Sequence, residues 1–366
     1  MLSSTSSSNQ RLPSLEWRTI WWMPVLLPLC FILILEGRLA LRGFQPTLVD
    51  SETHWQEERA RVAGLGKNAL VLVGASRIQL GVDIPLLRTL SGKEPVQLAI
   101  DGNSYAPVLQ SLAEDPGFIG TVIVDFAEGA NIVPMPTGLA TAYTGHYRQQ
   151  ASHYQNWNFD RIENRLSRLV QGILRSYADG ARPLDSLLSR LMEPPTTRQY
   201  LLTHPDRSRS ADYSRVPMPD FYLSRVMRHL GKDAPDAGTT FASPRALHEE
   251  LARRIARLRA DGPAKLAGSY ALLTDWLQKI RARGGRVIML AMPTSGLVHD
   301  ADRKRYPREL FWDPLAKTLP ATMIHYEDFP AMRQFICPDG SHLDYRSKPA
   351  FTMALVNAAG LQRTGR

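Results

Sequence analysis

Three residues of this chain have the types and spacing to carry nucleophilic chemistry. Ser76 ends the run "VLVGAS", and Asp339 and His342 lie three apart in "CPDGSH", near the other end of the 366 residues. A serine hydroxyl becomes a competent nucleophile when an imidazole takes its proton. The imidazole in turn needs a carboxylate to fix its tautomer and stabilise its cation. An attacked ester carbonyl then needs N–H donors for the oxyanion that develops. Read alone, Asp339-Gly340-Ser341-His342 is equally a polar turn, because Asp, Gly and Ser are ordinary turn residues. The chemical reading requires elements that bring Ser76 and His342 together across 266 positions.

The surrounding pattern predicts such elements. "NALVLVGAS" (68–76) reads as a buried strand that stops at a glycine and delivers Ser76. "IPLLRTLSG" is a helix opened by Pro85 and closed by Gly92. "PVQLAI" (95–100) is a second strand, ending at Asp101-Gly102-Asn103, and "TVIVDF" (121–126) a third, leading to "AEGANIVP". "APVLQSLAED" lies between them as a helix. "RVIMLAMP" (286–293) and "ATMIHYEDF" (321–329) are further strands, and "KPAFTMALVNAAG" closes the chain as a helix, with Ser347 as a candidate N-cap. Strands this apolar alternating with helices predict a parallel α/β sheet covered on both faces. In such a sheet, ligands bind beyond the carboxyl ends of the strands. Ser76, Gly102, Asn131, Asp339 and His342 all follow strands, so they can converge there.

The remaining segments set the organisation. Residues 1–16 read as a disordered, Ser-rich start. The uncharged run Ile20–Leu35 is shorter than the roughly 20 residues that cross a bilayer as helix. It extends through "EGRLAL" if Glu36 and Arg38 snorkel to the interface. Residues 17–42 are thus expected to be one uncleaved anchor, with Trp17, Trp21 and Trp22 at the interface; a cleaved signal peptide is the rival. Residues 43–66 read as a short membrane-proximal helix or linker, and 67–366 as the α/β domain. Inside it, about 137–265 breaks the rhythm and reads as a helical insertion. Net charge is +9, with basic residues scattered among acidic ones and no nucleic-acid-binding signature. That balance favours an anionic membrane or an acidic polymer as partner over nucleic acid. Two cysteines, Cys30 and Cys337, form no C-x-x-C, and no metal-ligand cluster appears.

The succession Ser76, Gly102, Asn131, then Asp339-x-x-His342, each after a strand, resembles the SGNH/GDSL esterase superfamily. "VLVGASRIQLGVD" is similar to its first block, with Ala75 where that pattern usually has Asp. "EGANIVP" keeps the G-x-N spacing without the Asp that often follows. The "G-x-S-R" form resembles the membrane-anchored extracytoplasmic branch that serves polysaccharide O-acetylation and teichoic-acid D-alanylation. The resemblance implies a flavodoxin-like α/β/α domain that needs no cofactor. It implies Ser76 as nucleophile, Ser76, Gly102 and Asn131 as oxyanion contributors, and Asp339 and His342 completing a triad. Arg77 either binds an anionic substrate or pairs with a neighbouring carboxylate.

Two functions of different class follow. One is a periplasmic, single-pass esterase or O-acyltransferase acting on a cell-surface polysaccharide, beside a multi-pass membrane-bound O-acyltransferase. The other is a non-catalytic SGNH-like subunit that binds a glycan or recruits that acyltransferase. A phospholipase-like activity is a third option.

Overall fold

The protein is described here by a computed structural model, which places residues 17–126, 138–150, 159–177, 188, 190–192, 198–260 and 267–363. Five parallel strands form the central sheet in the order β2-β1-β3-β6-β7. They are β1 (Ala69–Val73), β2 (Glu94–Gln97), β3 (Thr121–Asp125), β6 (Arg286–Ala291) and β7 (Thr322–His325). Every residue of β1 and β3 is buried, as a strand covered on both faces requires. In β1, Ala69, Val71 and Val73 face one hydrophobic core, and Leu70 and Leu72 face the other. Leaving out the intervening hairpin, the order is that of a doubly wound sheet whose direction switches between β1 and β3. Residues 98–100 lie beyond β2 but continue its ladder, with Leu98 N–H donating to Leu72 O and Ile100 N–H to Gly74 O.

The first core is closed by α2 (Glu52–Leu65), α5 (Ala106–Glu114), α6 (Leu139–Gln150), α10 (Ala267–Ala282) and α12 (Arg308–Thr318). The second is closed by α3 (Ser76–Gly81), α4 (Ile84–Ser91) and α13 (Lys348–Ala358). A smaller satellite core joins α8 (Asp220–Leu230), α9 (Pro244–Arg257) and α11 (Gly296–Arg305). Helices α11 and α12 fill the β6–β7 connection, which the sequence pattern leaves unassigned.

Of the helix and linker readings of residues 43–66, the structure has the helix, and it belongs to the domain: Trp55 in α2 is fully buried in the first core, and its Nε1–H donates to Leu98 O at 2.9 Å. Arg59, almost wholly buried, pairs with Asp115 at 2.8 Å. The mostly polar composition of α2 hides this, because one tryptophan and one valine do the packing. The helical insertion expected over 137–265 is corrected in part: the segment contains α6, α7 (Phe159–Ile173), α8 and α9, but also an antiparallel hairpin of β4 (Leu201–Thr203) and β5 (Arg209–Ala211). Leu48 N–H donates to Thr203 O, which ties the hairpin to the chain ahead of α2.

Helix α1 (Trp17–Leu41) is, among the described residues, the one long and apolar enough to cross a membrane. Its apolar stretch, Trp22–Leu41, has a mean hydropathy of 2.0 and runs through Glu36 and Arg38 as expected.

Candidate active site

Strand β1 ends at Val73, and Gly74 and Ala75 turn the chain so that Ser76 is the first residue of α3. Gly74 has φ +150°, and a Cβ there would come within 2.5 Å of the Asp125 Cβ. The glycine makes room for Asp125, the last residue of β3, whose buried carboxylate faces the N–H groups of Ala75 and Ile78. Burial raises the Asp125 carboxyl pKa, against the Arg77 charge and these N–H donors. The N–H of Ser76 has no acceptor among the described residues, consistent with its place in the first turn of a helix.

Ser76 Oγ lies 2.8 Å from His342 Nε2, and His342 Nδ1 lies 2.8 Å from Asp339 Oδ2. A carboxylate only accepts, so Nδ1 carries the proton and Nε2 is free to accept from the serine. Asp339 is fully buried. Its Oδ1 accepts the N–H groups of Ser341 (3.0 Å) and His342 (2.8 Å), and Oδ2 also accepts the Tyr213 hydroxyl at 2.9 Å. Arg225 Nε stands 3.7 Å from Oδ2. Burial alone would push the carboxyl up; the His342 hydrogen bond and charge and the two N–H donors outweigh it and hold Asp339 at about 2. Asp339 is therefore ionised throughout the neutral range.

The Asp339–His342 turn is anchored to the end of β6. Ser295 N–H donates to Gly340 O, and Ser295 Oγ accepts the Cys337 N–H at 3.0 Å. Cys337 is free and buried, and burial lifts its thiol to about 12. Ser347 makes no side-chain cap on α13; Asp344 instead accepts the Arg346 N–H and opens the turn ahead of that helix.

Gly102 occupies the turn after β2 at φ +66° with open space around it, so backbone conformation rather than close approach calls for glycine. The turn lies against the nucleophile, with the Asp101 carboxylate close enough to Ser76 and His342 for both to lower its pKa. Asp101 also pairs with Arg209 Nη1 at 2.5 Å. Burial raises its carboxyl, and the Arg209 charge and hydrogen bond, the His342 charge and Ser76 turn the net shift downward. Asn131 lies outside the described residues. Arg77 faces Asp302 Oδ2 at 3.6 Å, and Asp302 is also held by His229 at 2.7 Å. The carboxylate pairing foreseen for Arg77 is present. A cavity of about 50 Å³ opens beside Arg77, lined by Phe126, His299, Asp302, Tyr306 and Tyr326, and neither Ser76 nor His342 borders it.

The sequence thus pointed to the residues that meet, and missed those that hold them. Tyr213, Arg225 and Arg209 come from the 137–265 segment, where no periodicity marks them. Arg207, wholly buried with φ +62°, locks the hairpin down: it donates to the Gln97 and Ala99 carbonyls and to Asp50. That contact carries Arg209 to Asp101. Asp125 had a visible signal, since it is a carboxylate ending an otherwise apolar strand. Among the described residues, no three His, Cys, Asp or Glu side chains are grouped as a metal site requires.

No protein-family model matches the chain, and no curated protein matches it.

Proposed function

We propose that the chain is a membrane-anchored, extracytoplasmic SGNH-like serine esterase or O-acyltransferase that works through a Ser76 acyl-enzyme. The observation that carries this reading is the unbroken relay from Ser76 Oγ to His342 Nε2 and from His342 Nδ1 to Asp339, two contacts of 2.8 Å. It stands where β1 and β3 diverge, the place at which doubly wound sheets bind ligands.

The chemistry follows from the geometry. His342 Nε2 takes the hydroxyl proton as Ser76 Oγ bonds to the ester carbonyl carbon. The carbonyl oxygen gains the displaced electron pair, and the Ser76 N–H is placed to donate to it, with the Gly102 turn alongside. Asp339 stays ionised and stabilises the imidazolium. Collapse breaks the bond to the leaving alkoxide, which takes the proton from Nε2. A sugar hydroxyl or water then attacks the acyl-enzyme with His342 again as base, and Ser76 is restored. Arg209 has a defined part: it neutralises Asp101, whose charge would otherwise oppose the oxyanion.

Anchoring by α1 and a net charge of +9 fit an acidic cell-surface polysaccharide as acceptor or substrate, with a multi-pass membrane-bound O-acyltransferase as neighbour. The full chain in detergent is expected to cleave p-nitrophenyl acetate and to be labelled by a fluorophosphonate at Ser76, with Ser76→Ala abolishing both. Silence in both assays from folded protein would overturn the reading. One observation favours a second reading, a non-catalytic SGNH-like subunit that binds a glycan or the acyltransferase. A carboxylate, Asp101, stands beside the Ser76 hydroxyl that His342 must deprotonate. That reading expects no labelling and unaltered binding in Ser76→Ala.

A further inference from the structure

Helix α7 is amphipathic in the reverse sense for a domain surface. Its polar side faces inward: Gln171 accepts the Val49 N–H at 3.0 Å, and Arg168 pairs with Glu57. Its apolar side faces out. Ile162, Leu166, Leu169, Val170 and Ile173 recur at helical spacing, and Leu166, Leu169 and Ile173 are each about 60% exposed (59%, 60% and 59%). A contiguous apolar stripe of this kind on a folded surface marks an interaction site.

The position of the helix says what covers it. Beyond its C-terminal end, the N–H groups of Arg175 and Ser176 donate to the Glu36 carboxylate at 2.9 and 2.7 Å, and Arg175 Nε donates to Phe44 O. Glu36 lies in the last third of the apolar span Trp22–Leu41. The end of α7 is therefore fixed where α1 leaves the hydrocarbon. Leu41, 92% exposed, continues the apolar surface there, as do Leu191 and Met192, next to Arg190 stacked over Phe44. Arg38 is exposed on α1 beside this surface, suited to lipid phosphates. A helix with one apolar face and basic residues beside it lies in the headgroup–acyl boundary.

We infer that α7 is an interfacial helix, its Ile162–Ile173 face embedded in the leaflet that α1 enters. The domain then has two attachments to the bilayer, a spanning helix and a surface helix, which together fix the height and tilt of the Ser76 site above the lipid. The inference rests on α1 crossing a membrane, and the experiment separates the two.

Full-length protein carrying Cys30→Ser is reconstituted in phosphatidylcholine–phosphatidylglycerol vesicles. Nitroxide labels are placed singly through Leu169→Cys, Leu33→Cys and, as an aqueous reference, Glu249→Cys. Oxygen and a water-soluble nickel chelate report depth. The Leu169 label is expected to be oxygen-accessible and nickel-shielded, like that at Leu33 and opposite to that at Glu249. Leu166→Gln with Ile173→Gln should return it to nickel access while fluorophosphonate labelling of Ser76 persists as a check on folding. Nickel access at Leu169 with Leu33 still in lipid overturns the surface helix and leaves the anchor standing. Nickel access at both overturns the anchor and the inference with it. Spin–spin broadening at Leu169 would show a second copy on this face, and shielding from both reagents without broadening would show cover by the chain's own residues. Either refutes lipid contact.

Discussion

The substitution Asp339→Asn asks most of the relay. It keeps the size of the side chain and exchanges one acceptor oxygen for a donor. Oδ1 can still accept the N–H groups of Ser341 and His342, at 3.0 and 2.8 Å. The other position now carries an NH₂ facing two donors, His342 Nδ1–H at 2.8 Å and the Tyr213 hydroxyl at 2.9 Å. Tyr213 can rotate its proton away and accept. His342 can accept only by moving its proton to Nε2, which then points a donor at Ser76 and no longer acts as a base. A wrong tautomer of this kind lowers turnover by about 10⁴, or roughly 5 kcal/mol of barrier. Loss of the charged hydrogen bonds costs stability of only about 1–3 kcal/mol. The rate of fluorophosphonate labelling, with p-nitrophenyl acetate turnover beside it, measures the first quantity; denaturant unfolding measures the second. A folded Asp339→Asn protein that keeps more than a tenth of the wild-type rate would refute the assignment of His342 as base and Asp339 as its orienting partner.

Other outcomes follow from the same geometry. Arg209→Gln leaves Asp101 unneutralised beside the forming oxyanion and slows labelling about fivefold, the value of about 1 kcal/mol expected of a half-exposed charge pair; adding Asp101→Asn recovers most of it, and a double variant no faster than Arg209→Gln alone would contradict the role. Lys348, buried with Nζ donating to Arg209 O at 2.9 Å, is lowered from 10.5 to about 8 by burial. The unfolded chain binds more protons between those values, so stability rises from pH 8 towards pH 10.5 by up to about 3 kcal/mol; Lys348→Met removes that rise, which urea midpoints at pH 8 and pH 10 detect. Trp55→Ala opens a cavity and leaves the Leu98 carbonyl unpaired, lowering stability by about 3–5 kcal/mol in urea unfolding; a change below 1 kcal/mol would return residues 43–66 to linker status. Asp339, held at about 2, adds no step to the labelling-rate profile above pH 4; an acid step above pH 4 that moves in Tyr213→Phe, which removes the hydroxyl Asp339 accepts at 2.9 Å, would show that carboxyl titrating there instead.

What the sequence by itself determined was the local chemistry. Uniformly apolar, β-branched runs such as "ALVLV" and "TVIVD" have no stable setting except a sheet covered on both faces, and that dictated the parallel core. Position after a strand marked Ser76, Gly102 and the Asp339–His342 turn, because strand ends of a parallel sheet share one edge. Everything that depends on which distant segments touch escaped the pattern. Trp55 is one aromatic in a polar helix, and nothing local says that it enters the core. Arg207 and Arg209 lie in a short hairpin and Tyr213 in the turn just after it, and only the docking of that hairpin on the end of β2 aims Tyr213 at Asp339 and Arg209 at Asp101. The outward apolar face of α7 has a period that sequence displays, yet its direction is a tertiary fact. A helix with two contrasting faces obeys the same periodicity whichever face it turns to the domain, and contacts at Glu57, Val49 and Glu36 decide that the polar one is inside.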